Sequence, residues 1–146
     1  MEQIKVKKLT QLAKLPVYSS EFAAAADLFS AEETDITIRP GETALIHTGI
    51  AMEIPVGYAG FIYARSGLAS KKGLAPANKV GVVDADYRGE VMVALHNHSD
   101  IDAEIDINER IAQLVIAPFL KVEFNEVEEL NDTERGEGGF GSTGNK

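Results

Sequence analysis

Residues 91–116 read V-M-V-A-L-H-N-H-S-D-I-D-A-E-I-D-I-N-E-R-I-A-Q-L-V-I. Three segments in this stretch, Val91 to His98, Ile101 to Ile107 and Arg110 to Ile116, show the patterning and the Val, Ile and Ala content of short strands. His98-Ser99-Asp100 and Asn108-Glu109 carry the polar residues of the turns between them. The same pattern extends upstream, where Asp35 to Arg39, Thr43 to Ile54 and Gly57 to Tyr63 read as strands. Arg39-Pro40-Gly41 and Pro55-Val56-Gly57 punctuate them. Only Ser66 to Gly73, with Leu68 to Lys72 inside it, reads as a short helix. Many short strands at close spacing predict an all-β sandwich or jelly roll. No repeat and no internal linker interrupts the pattern. The acidic stretch Glu123 to Glu134 reads as a solvated connector into a glycine-rich end.

With 146 residues, 45% of them hydrophobic and 25% charged, the chain suits one globular domain with a real core. It has no cysteine, which excludes disulfides and thiolate metal sites and suits a reducing compartment. The N-terminal M-E-Q-I-K-V-K-K-L-T alternates and has no apolar h-region, so no signal peptide is expected. No apolar run approaches the length of a membrane span. A net charge of −9 argues against a broad nucleic-acid-binding surface but not against a small phosphorylated ligand.

Residues 135–146 read R-G-E-G-G-F-G-S-T-G-N-K. The glycines allow close backbone approach to an anion, Arg135 adds a forked donor, and Ser142 and Thr143 add hydroxyls. Phe140 is a flat surface on which a base can stack. Gly136, Gly138 and Gly141 fit G-x-G-x-x-G without the helix that should follow. Gly136 to Thr143 fits a phosphate loop except that Ser142 stands in place of lysine. What remains is an anion cradle or, in the plainer reading, a solubilising tail.

Four upstream segments add to it. Gly81 to Glu90 reads G-V-V-D-A-D-Y-R-G-E. On an extended chain Asp84 and Asp86 point the same way. Arg88 and Leu95 stand where a calcium loop needs ligands, so the choice lies between a carboxylate that deprotonates water and an acidic turn. Ala64 to Ala69 reads A-R-S-G-L-A, in which Arg65, Ser66 and the Gly67 amide converge on an anion, or Ser66 simply caps a helix. Ala23 to Ala31 reads A-A-A-A-D-L-F-S-A, where Asp27 is a metal or water ligand or a turn residue. Arg110 to Val115 reads R-I-A-Q-L-V, where Gln113 is alone among apolar neighbours. His96 and His98 share a strand face without a third ligand nearby.

Taken in order, these five segments resemble the five motifs of the trimeric dUTPase family, across about residues 20 to 144. Ala25 and Ala64 depart from it, standing where the family usually has glycine and proline, so a locally altered turn is expected at each. The resemblance implies a jelly-roll-like distorted barrel over residues 1–130, a C-terminal lid over 131–146 and a cytoplasmic homotrimer with shared sites. It implies Mg²⁺-dependent hydrolysis of dUTP to dUMP and pyrophosphate, which limits uracil incorporation into DNA and supplies dUMP for thymidylate synthesis.

By the same resemblance, Asp84 would activate the attacking water and Tyr87 would pack on the deoxyribose. Asn78, with backbone around Gly81 and Val83, would read the uracil edge. Arg65, Ser66, Gly67 and Gln113 would hold phosphates, and Asp27 would reach the metal through water. Arg135, Gly141, Ser142 and Thr143 would close over the phosphates, and Phe140 over the base. Arg88 and Arg110 are left as structural candidates, Arg110 for the tail or an interface. The alternatives are a dCTP deaminase-like relative and a non-catalytic nucleotide-binding regulator.

Overall fold

The computed structural model describes residues 3–139. Among them are twelve short strands and one helix. In chain order these are β1 (Lys5–Lys8), β2 (Val17–Tyr18), β3 (Ala26–Phe29), β4 (Ile36–Ile38), β5 (Thr43–His47), β6 (Ile50–Glu53), β7 (Tyr58–Tyr63), α1 (Ser66–Lys72), β8 (Leu74–Pro76), β9 (Gly81–Val83), β10 (Met92–Asn97), β11 (Ala103–Ile105) and β12 (Arg110–Pro118). The all-β expectation holds. No helix among the described residues is long and apolar enough to cross a membrane.

The strands form a five-stranded sheet in the order β2-β3-β12-β7-β9, a three-stranded sheet β5-β10-β8, and the pairs β1-β6 and β11-β4. Each sheet sends side chains into one buried cluster. Leu28, Ile62 and Leu114 come from the large sheet, Ile46 and Leu95 from the second, Met52 from β6, and Ile38 and Ile105 from the last pair. Burying each such side chain stabilises the fold by roughly 1.5–3 kcal/mol.

The expected strand from Thr43 to Ile54 is two strands. They break at Gly49, which has φ +65 and whose Cβ position would lie 2.9 Å from both the Ala13 Cβ and the Thr10 Oγ1. A side chain there would be strained and crowded, so the chain turns on glycine.

The expected helix is present, but Ser66 does not cap it. Arg65 occupies the cap position, in extended conformation and without a capping side-chain hydrogen bond. β1 lies in the alternating N-terminal segment, whereas β2, β3, β8 and β9 had no alternating signal: β3 is buried at all four residues, and the others run two or three.

The large sheet sets the site. Register pairs Gln113 of β12 with Asp27 of β3 on one side and with Tyr63 of β7 on the other. A register shift between Arg110 and Ala112 puts an extra residue into β12 and fixes that alignment. The end of β7 then delivers Arg65, Ser66 and Gly67 beside Asp27, while β9 at the sheet edge leads into Asp84.

Candidate active site

Five of the expected residues meet in one cleft of about 370 Å³, where Asp27, Arg65, Ser66, Gly67 and Gln113 are joined by Ser19 and Ala23 to Ala25. Asp27 is buried, and a buried carboxylate needs partners. Its Oδ1 accepts the Arg65 Nε–H at 2.7 Å. Its Oδ2 accepts the Ser19 hydroxyl at 2.7 Å and lies 3.1 Å from the Arg110 Nε. Two guanidinium groups against one carboxylate leave one positive charge uncompensated at this wall, which suits an anion.

Gln113 donates its Nε2–H to the Ala64 carbonyl at 2.7 Å, which fixes the turn before Arg65. This is the backbone-satisfied arrangement, and the side chain also lines the cleft. A Cβ placed on Gly67 would meet nothing within 4 Å, so the protein itself does not crowd that position.

A second cleft, of about 270 Å³, gathers Asn78, Gly81, Val83, Asp84 and Tyr87. Leu45, Ile62, Val91 and Met92 give it apolar walls. Between Asp84 and Tyr87 the chain turns, with the Tyr87 amide donating to the Asp84 carbonyl at 3.2 Å. The extended geometry expected for Asp84 and Asp86 is therefore absent, and Asp86 does not line the cleft. Asp84 is exposed, and among the described residues its carboxylate accepts no hydrogen bond. Tyr87 donates its hydroxyl to the Glu90 carbonyl at 2.8 Å. Its ring packs so closely on Gly89 that a Cβ there would lie 2.5 Å from the hydroxyl oxygen.

The two clefts share no lining residue. Arg135 lines neither of them, and its Nε donates to the Gly138 carbonyl at 2.8 Å in an exposed turn. Phe140, Gly141, Ser142 and Thr143 lie outside the described residues. No group of three or more His, Asp or Glu that could hold a metal ion occurs among the described residues. His96 and His98 stack edge to face with ring centroids 4.5 Å apart, and the Nδ1 of His96 lies 2.8 Å from the Thr43 hydroxyl.

Three participants were not legible as such in the sequence. Ser19 and Arg110 complete the shell of Asp27, and the Arg110 guanidinium also lies 5.7 Å from the centre of the Phe29 ring. Glu90 lies at the second cleft with its carboxylate bonded to His47 and to the Gly49 amide. Its hydrogen bond raises the His47 pKa above the usual histidine value, outweighing the lowering by burial, with the charges of Glu90 and Glu32 adding to the rise.

A family model described as dUTPase matches residues 11–144. The chain belongs to the dUTPase family. A dUTPase relative from Nautilia profundicola, named deoxyuridine 5'-triphosphate nucleotidohydrolase, is 55% identical over 142 residues, covering 97% of this chain and 99% of that protein. One of the same name from Alkaliphilus metalliredigens is 49% identical over the full length of both. Among solved structures, the dUTPase of Staphylococcus bacteriophage 80alpha with dUPNHPP matches at a TM-score of 0.90 and 34% identity, covering 99% of both chains. A mutant dUTPase from phage phi11 of S. aureus, described for its coordination of a structural Mg(II) ion, matches at a TM-score of 0.78 and 30% identity, covering 88% of this chain and 98% of that one. The fold class and the family expected from the five motifs are both borne out.

Proposed function

We propose that this chain hydrolyses dUTP to dUMP and pyrophosphate, with Asp84 as the general base. The observation that carries this reading is the cleft in which the exposed carboxylate of Asp84, unbonded among the described residues, stands beside Tyr87, Asn78 and the β9 backbone. A water oxygen attacks the α-phosphorus and gives its proton to Asp84. The bond from the α-phosphorus to the bridging oxygen breaks, and pyrophosphate leaves with the electron pair. A positioned base of this kind contributes roughly 10²–10⁴ in rate.

Tyr87 packs on the deoxyribose and leaves no room for a 2′-hydroxyl. Asn78 and the backbone from Gly81 to Val83 read the uracil edge, and a wrong base leaves buried donors unpaired. Arg65, Ser66, Gly67 and Gln113 hold the phosphates, supported by the excess positive charge beside Asp27.

The donor set around Asp27 fits Mg²⁺ through water only. An ionised carboxylate offers about four acceptor positions. Arg65 and Ser19 donate hydrogen bonds to it and the Arg110 guanidinium pairs with it at 3.1 Å, which leaves acceptor capacity for a hydrating water. When bound to the triphosphate, Mg²⁺ would neutralise charge on the phosphoryl oxygens, and it characteristically retains several waters.

The complete site is assembled between copies of the chain in a homotrimer. Support comes from the separation of the phosphate cleft and the nucleoside cleft within one chain. Further support comes from the apolar side chains of Phe119, Leu120, Phe124 and Leu130, which are exposed and would be covered by association. Residues 131–146 form the lid, with Arg135, Gly141, Ser142 and Thr143 over the phosphates and Phe140 over the base.

Asp84→Asn tests the central role. The variant should bind a non-hydrolysable dUTP analogue with near-normal affinity and lose roughly 10²–10⁴ in kcat. Near-normal turnover would remove Asp84 as the base.

A further inference from the structure

The side chain of Glu90 has no part in the chemistry above, yet it leaves the catalytic loop and grips the fold. Its Oε1 accepts the Gly49 N–H at 2.8 Å, and its Oε2 lies 2.9 Å from the His47 Nδ1. Its main-chain oxygen accepts the Tyr87 hydroxyl at 2.8 Å. One residue therefore connects the turn between β5 and β6 with the ring that packs on the sugar.

The rest of the loop has no comparable anchor. Strand pairing of β9 ends at Val83. Between Asp84 and Gly89, the hydrogen bonds among the described residues stay within the loop or end on Glu90: Tyr87 amide to Asp84 carbonyl, Arg88 to the Ala85 and Tyr87 carbonyls, and Tyr87 hydroxyl to Glu90. The chain is tied back to the fold next at Val91, whose amide donates to the Ile50 carbonyl and whose carbonyl accepts the Thr48 hydroxyl. The carboxylate of Glu90, beside the backbone anchor at Val91, is the side-chain contact that ties the second half of the loop to the β5–β6 turn.

We propose that Glu90 is a positioning residue for Tyr87 and Asp84, and that His47 is its pH-sensitive partner. The proposal rests on the dUTP-hydrolysis reading of the second cleft. A loop held only by local turns samples positions that misplace its reacting group, and a misplacement of about 1 Å costs on the order of 10²-fold in rate. The clasp removes that freedom before substrate arrives.

The groups facing His47 fix the direction of its response. Glu90 faces its ring, Glu32 accepts its amide at 2.7 Å, and its register partner on β10 is the neutral Met92. Both charged neighbours favour the imidazolium, so the His47 pKa lies above the ordinary value of about 6.5. A raised value means that the charged clasp is complete below about pH 6.5 and weakens as pH rises through the folded-state value. The neutral ring keeps a hydrogen bond to Glu90 without charge assistance, and the Gly49 amide still holds the other oxygen.

Glu90→Gln and His47→Gln test the clasp together. In Glu90→Gln the side-chain amide oxygen still accepts from Gly49, and His47 is half exposed, so both variants should unfold near the wild-type midpoint. In the wild type, the Tyr87 ring resonances should titrate with the midpoint of the His47 imidazole, and they should stop doing so in either variant. With dUTP and Mg²⁺, Glu90→Gln should lower kcat roughly tenfold or more with a smaller change in KM, and His47→Gln should flatten the fall in kcat/KM above about pH 6.5. Tyr87 resonances that ignore the His47 titration, or Glu90→Gln kinetics that match wild type at every pH, would overturn the proposal. The resonance measurement needs no turnover, so it judges the clasp even if dUTP proves not to be the substrate.

Discussion

Arg65 donates its Nε–H to the Oδ1 of Asp27 at 2.7 Å, and the pair lines the cleft that also holds Ser66, Gly67 and Gln113. Arg110 approaches the other oxygen at 3.1 Å. Asp27 thus holds two cations in place and leaves a net positive charge for the ligand.

Asp27→Asn removes the charge that balances both arginines. Asp27 has only 9% of its side chain exposed, whereas Arg65 and Arg110 have 29% and 51% and regain solvation in part. A loss of about 1–3 kcal/mol is expected in urea unfolding, below the cost of breaking a fully buried pair. The dUTP KM should rise as Arg65 loses its orientation. Wild-type stability together with wild-type KM would show that the pair sets neither.

Gly67→Ala should move stability and binding in opposite directions. The added methyl meets nothing within 4 Å and replaces glycine in α1, which favours folding by roughly 0.5–1 kcal/mol. The same methyl enters the cleft where phosphate would approach the backbone, so KM should rise by about tenfold or more. An unchanged KM in a stabilised variant would mean that phosphate does not approach this amide.

Removal of residues 135–146 should leave the fold intact, because the buried cluster ends at Leu114 and residues 119–134 are exposed. Thermal unfolding should match the full chain, while pyrophosphate release from dUTP should fall by roughly 10²-fold or more as the lid is lost. A truncated chain with full turnover would remove the lid from the account.

How far the sequence could be read follows from the range of the interactions involved. The strand from Gly57 to Tyr63 and the helix at Ser66 were legible because periodicity and turn residues are local. Asp27 and Gln113 were legible as polar residues in apolar settings and Arg65 as an anion donor at a helix start, and register across β3, β12 and β7 then brought them together. Ser19 and Arg110 were not legible as partners of Asp27. One lies on the segment after β2, and the other depends on a register shift that no local pattern announces. The break at Gly49 was missed because the neighbours that require a glycine there, Ala13, Thr10 and Ala31, are distant in sequence. Glu90 read as the end of an acidic turn because its partners, His47 and Gly49, lie about forty residues upstream.

The most direct measurement is pyrophosphate release by the full chain with Mg²⁺, compared among dUTP, dTTP, dCTP and UTP. Turnover should be confined to dUTP, with dTTP and dCTP excluded at the base and UTP at the sugar beside Tyr87, each by roughly 10²-fold or more in kcat/KM. Equal turnover of all four, ammonia release from dCTP, or no pyrophosphate from dUTP would contradict the account.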